Sequence, residues 1–123
     1  MALLTEEIAQ AFVACLEEER YYDAHEVLEG LWYPRRFDKT PEILLLKGMI
    51  NASVSFELVK RGRREAAEKP WRTYLKYRVL LREALDTPPH RRIERTVAEH
   101  AARLLGRTAE KKSYFASSPE ENR

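Results

Sequence analysis

Apolar residues in this chain recur three and four positions apart, and strand-like alternation is absent throughout. The first such series is Leu4, Ile8, Ala11, Phe12 and Cys15. It predicts a helix from about Thr5 to Glu19, capped by Thr5, with Glu6 and Glu7 at the positive end of the helix dipole. Glu17-Glu18-Glu19 reads as a solvated end, although acids oppose the dipole there. A second helix is predicted over 21–33. Asp23 with Glu26 three residues on matches a capping box, and the alternative is an earlier start in the preceding turn. Pro34 ends this helix and pushes Tyr33 out of helical geometry.

The third helix has the clearest bounds. Thr40 caps it, Pro41 takes the first helical position, and Gly62 supplies a left-handed cap after Lys60. Ile43, Leu46, Ile50, Val54 and Leu58 form one stripe, and Leu45, Met49, Ala52, Phe56 and Val59 another. A helix apolar on two sides must sit centrally. Gly48 inside it costs about 1 kcal/mol relative to alanine, which predicts a close helix approach there.

Pro70 divides the next region into a short helix over 63–69 and a longer one to about residue 86. Pro88-Pro89 reads as a stop. A last helix is expected over 90–105, with Ile93, Val97, Ala101 and Leu104 inside and Gly106 closing it. The fold class is therefore all-α: a compact bundle of about five helices with a central third helix. Residues 1–106 form the single expected domain, and 107–123 a polar, mobile tail unless Tyr114-Phe115 docks.

Composition adds the compartment. At 123 residues the chain can bury a core without disulfides or metals. Its single cysteine, Cys15, falls on the buried face of the first helix and reads as an inert thiol. The longest aliphatic run, residues 43–46, cannot span a bilayer, and no secretory signal opens the chain. The expected location is cytoplasmic.

Charge is uneven although the net is +2. Residues 1–59 carry −6, residues 60–82 carry +7 and residues 83–123 carry +1. Lys60, Arg61, Arg63 and Arg64 lead into Trp71, Arg72, Tyr74, Lys76, Tyr77 and Arg78. Cations interleaved with aromatics suit single-stranded nucleic acid. The preferred reading turns these aromatics inward and pairs the arginines with the acidic first half.

The richest chemistry lies in the second helix. At about 100° per residue, His25, Glu29 and Trp32 share a stripe with Leu28. Burial of Leu28 and Trp32 draws the imidazole and the carboxylate inward, where both must find partners. Lys47 and Asn51, one turn apart on the third helix, are the expected partners. His25, Glu26, Glu29, Trp32, Lys47 and Asn51 thus make the candidate polar site. His25-Glu26-Val27-Leu28-Glu29 also resembles a zinc-helix pattern, with His25 and Glu29 as divalent-metal ligands and Glu26 as general base. A catalytic zinc needs a third ligand, and His90 and His100 read as surface residues. Ser53 and Ser55 lie within a helix without a glycine elbow, and four scattered glycines make no phosphate loop.

The run Tyr22-Asp23-Ala24-His25-Glu26-Val27-Leu28-Glu29-Gly30-Leu31-Trp32, followed by Lys47-Gly48-Met49-Ile50-Asn51-Ala52, resembles the family called domain of unknown function 309, over about residues 4–80. That resemblance implies a compact helical bundle of bacterial or archaeal type and implies no reaction. The chain departs from the family where Gly62-Arg63-Arg64-Glu65-Ala66-Ala67 lacks the usual asparagine and glycine. The leading expectation is a binding or interaction module without assignable catalysis or cofactor, open to a small ligand, a protein partner or oligomerisation. A metal-dependent hydrolase at His25, Glu26 and Glu29 is the alternative. Nucleic-acid binding through 60–82 is the third.

Overall fold

The computed structural model of the chain describes residues 3–106. Five α-helices follow one another: α1 (Glu6–Glu17), α2 (Tyr21–Trp32), α3 (Pro41–Lys60), α4 (Glu68–Ala84) and α5 (Pro88–Leu104). A 3₁₀ turn, Tyr33–Arg35, follows α2 directly. No strand occurs among the described residues. The tail expected over 107–123 lies outside them.

Three helix starts follow the rule that a side-chain oxygen must serve the first free amides. Thr5 accepts from Ile8 N, Thr40 from Ile43 N, and Thr87 from His90 N. Pro41 and Pro88 occupy first-turn positions, where a missing N–H costs nothing. Pro88-Pro89 therefore opens α5 rather than separating it from what precedes. The second helix starts earlier than a cap at Asp23 would place it, because Arg20 is its N-cap residue and provides no side-chain bond. Glu26 is thereby released from any capping role. The stretch expected as a short helix over 63–69 is mostly turn, and Pro70 sits in the first turn of α4, where it breaks nothing.

The turn between α1 and α2 accounts for the acidic run at its start. Glu19 adopts φ +58, and Arg20 N returns to Cys15 O at 2.8 Å to close the helix end. Glu18 pairs with Arg20 at 2.8 Å, and Glu19 faces Arg103 at 3.6 Å. Glu18 and Glu19 thus lie past the last helical residue, Glu17, and beside arginines.

Central α3 packs against α2, α4 and α5, while α1 packs against α2 and α5. Leu45, Leu46, Met49, Ala52 and Phe56 of α3 are at most 1% exposed. Each large aliphatic or aromatic side chain so buried contributes about 1.5–3 kcal/mol. Phe12, Leu16, Tyr21, Leu28, Trp71, Tyr74, Ile93 and Val97 complete the core. Gly48 marks the closest approach of α3 and α4: a Cβ there would lie 3.1 Å from Tyr77 Cβ and 3.6 Å from Tyr74 Cα. Among the described residues, no helix is long and apolar enough to cross a membrane.

Candidate functional site

His25 is half-buried on the side of α2 that meets α3. Its Nε2 lies 3.5 Å from Glu29 Oε1, one turn along the same helix. Its Nδ1 is enclosed and has no hydrogen-bond partner among the described residues. The ring beside it belongs to Tyr22, with centroids 5.4 Å apart. Trp32, half-buried, meets Tyr33 edge-on instead. Lys47 and Asn51 do not serve the imidazole. The Asn51 amide donates to the Lys47 carbonyl at 2.9 Å, a bond inside α3. Of the six sequence candidates, the structure therefore joins His25, Glu26 and Glu29 and leaves Trp32, Lys47 and Asn51 to other contacts.

A cleft of about 210 Å³ opens beside His25, between the first half of α2 and the second half of α3. Tyr21, Tyr22, Val54 and Leu58 give it apolar walls, and Glu57 and Arg61 stand at its edge. Those two are bound to each other at 2.6 Å. Leu28 is fully buried below, so the core holds the helix register that presents His25 here.

Glu26 is exposed and Glu29 half-buried. One ligand atom from each of His25, Glu26 and Glu29 lies within 4.8 Å of the others. A tetrahedral zinc at about 2.1 Å from each ligand sets them roughly 3.4 Å apart, so small rotations of the glutamates would have to close the set. If all three bind, no carboxylate of the trio is left as a general base.

The serine and cysteine candidates are structural. Ser53 Oγ donates to Ile50 O and Ser55 Oγ to Ala67 O, both buried, and Cys15 is buried too. The basic region does not present an aromatic track. Trp71 and Tyr74 are fully buried. Its arginines meet carboxylates on both sides: Arg61 pairs with Glu57 of the acidic first half, Arg72 with Glu68 in α4, and Arg78 with Glu94 of α5.

Two further polar clusters escape the sequence reading. His90 and His100, expected at the surface, are 0% and 5% exposed. His90 Nδ1 meets Thr87 Oγ1 at 2.6 Å, and its Nε2 faces Glu42 Oε2 at 3.8 Å. That same carboxylate oxygen accepts from Leu3 N and Leu4 N, tying the N-terminal segment to α3. Burial lowers the His90 pKa below its ordinary value, and Glu42 opposes the shift. His100 meets Tyr21 and is likewise lowered, first by burial and then by Arg103. The signal was available: positions 90, 93, 97, 100, 101 and 104 recur three, four and three apart on the stripe that holds Ile93 and Val97.

No curated protein and no solved structure matches the chain. A family model does match, over residues 9–69, which run from α1 through the first two residues of α4. Most of α4 and all of α5, with both buried histidines, lie beyond that match. Over the stretch that carries His25, Glu29, Trp32 and the central helix, the chain resembles the family described as Domain of unknown function (DUF309).

Proposed function

We propose that this chain is a small cytoplasmic binding domain that takes a compact, largely apolar molecule in the cleft between α2 and α3, without a catalytic step. The observation that carries the reading is His25: it lines an apolar cleft while one of its ring nitrogens lacks a partner among the described residues. A concave apolar site with a few polar groups is the usual form of a small-molecule site. A turn of the ring that brings the enclosed Nδ1 to the cleft would let the imidazole fix the ligand's orientation through one hydrogen bond, and Glu57 and Arg61 would meet its polar end. The nucleophile candidates are all engaged in structure, which favours binding over acyl transfer. The test is a thermal-shift screen of aromatic and aliphatic amides and acids on the native protein and on Leu58→Trp, which fills the cleft. Compounds that raise the native melting temperature should leave the variant unmoved. Equal shifts in both proteins would remove the cleft as the site.

A second reading rests on the convergence of His25, Glu26 and Glu29. These groups would hold a divalent cation at the surface of α2. The metal would supply Lewis acidity to a bound oxygen ligand, and with all three groups ligating, hydrolysis would lack a protein base.

A further inference from the structure

Gly30 has no internal reason to be glycine. It lies within α2, at a place where a Cβ would find nothing within 4 Å. Glycine inside a helix is destabilising relative to alanine, and close packing explains it at Gly48 but not here. Instead Gly30 forms one wall of an open cleft of about 420 Å³, with Glu26, Glu29 and Tyr33 as the others. Tyr33 also borders a segment of opposite sign. The Arg36 guanidinium lies 3.8 Å from the centre of the Tyr33 ring and 4.6 Å from that of Phe37. Phe37 is 78% exposed, the highest value among the exposed large hydrophobic residues. Arg35, Arg36 and Lys39 have no carboxylate partner among the described residues, and neither has Glu26.

One surface thus carries an acidic cleft walled by a glycine, an exposed phenylalanine and cations that, among the described residues, have no carboxylate partner, Arg35 and Arg36 donating only to the Leu31 and Tyr33 carbonyls. A two-fold axis through such a surface sets each half against its complement, because in an isologous contact residue i meets j while j meets i. We propose that this surface is a self-association face, with Phe37 of each copy entering the other's Gly30 cleft and Arg35, Arg36 and Lys39 facing the other's Glu26 and Glu29. An extended nucleic-acid strand fits less well. The other basic segment, near residue 63, stands at the far end of α3, whose 20 residues span about 30 Å. The inference does not rest on the ligand proposed for the α2–α3 cleft.

The test is sedimentation equilibrium over a concentration series, with and without chelator, together with helical content by circular dichroism. The native chain should form a dimer that weakens with salt and ignores the chelator. Gly30→Leu should raise the dissociation constant at least tenfold. The doubly substituted E26K/E29K chain is basic on both halves, and R35E/R36E is acidic on both. Each should be folded and monomeric alone, and their equimolar mixture should form a heterodimer. A native chain that stays monomeric throughout would overturn the proposal. So would a dimer indifferent to these substitutions, one lost on chelation, or a mixture that does not associate.

Discussion

The Tyr21 hydroxyl lies 3.1 Å from His100 Nδ1, a contact that joins α2 to α5 across 79 residues of sequence. Arg103 reaches the same nitrogen at 3.1 Å. A guanidinium only donates, so Nδ1 is the acceptor, the tyrosine donates as well, and the ring proton is assigned to Nε2. The imidazole is therefore neutral, which agrees with a pKa pushed down by burial and by Arg103. Phe56 packs against both rings, at 5.5 Å from Tyr21 and 6.0 Å from His100.

Tyr21→Phe removes one donor and leaves the other. We expect a loss of about 1 kcal/mol, the ordinary net value of one hydrogen bond. His100→Ala removes the acceptor of the buried Tyr21 hydroxyl, which keeps Arg103 beside it, and empties the space beside Phe56. It should cost more, about 1–3 kcal/mol, because the lost acceptor is joined by a cavity term. Urea unfolding of the two variants checks the order. A Tyr21→Phe chain as stable as the native one would mean that the contact contributes nothing beyond packing.

Both buried histidines titrate below their ordinary value of 6.5 when folded. A base whose folded pKa is depressed stabilises the fold fully above its unfolded pKa. The unfolded chain then binds protons first as pH falls, and stability drops. The melting temperature should hold steady above about pH 7 and decline from about pH 6.5 downward, before carboxylates begin to protonate. His90→Gln with His100→Gln should flatten that decline. A flat native profile between about pH 7 and about pH 5.5 would contradict the assignment.

Two glycines in helices should respond oppositely to alanine. Gly48→Ala puts a Cβ 3.1 Å from Tyr77 Cβ and 3.6 Å from Tyr74 Cα, atoms that can yield only if α4 moves. Overpacking of about 1–3 kcal/mol outweighs the gain in helix propensity of about 1 kcal/mol. Gly30→Ala meets nothing within 4 Å and should keep that gain. Denaturation at low protein concentration reads the chain by itself. A stabilised Gly48→Ala would show that α3 and α4 are looser than described.

How much of this was legible depended on whether a signal was local. Thr40, Pro41 and Gly62 punctuate α3 in sequence, and its bounds follow from them. Gly48 announced the α3–α4 approach because its propensity cost needs a reason. The site was legible only along α2, where one-turn spacing joins His25 to Glu29. Partners across helices were not. Asn51 looked free to reach α2, yet its own helix offered the Lys47 carbonyl at 2.9 Å. Tyr21 and His100 carry no spacing that links them, and only packing brings them together. His90 was misread because adjacent prolines suggest a surface turn, whereas here they begin a helix whose first turn is buried.

The last expectation separates the two uses of His25. As part of a ligand cleft, its imidazole borders the same open space as the Tyr22 ring and the walls from α3. As a metal ligand, it would turn toward Glu26 and Glu29 on its own helix. The two roles predict different chelator responses. Protein purified without an affinity tag should be analysed for metal and melted with and without chelator. In the cleft reading, the protein is metal-free and chelator leaves the melting temperature unchanged. His25→Ala would then open a larger cavity at a cost of about 1–3 kcal/mol, and His25→Asn would recover part of it by keeping a polar group in place. In the metal reading, one ion per chain is found, and chelation reproduces the loss of stability seen in His25→Ala. Glu26→Gln discriminates further: Glu26 is exposed and does not line the α2–α3 cleft, so its loss should weaken a bound ion and leave binding in that cleft unchanged. We expect Glu26→Gln to be neutral in stability, within about 0.5 kcal/mol. A stoichiometric metal that Glu26→Gln weakens would move the site from the cleft to the face of α2.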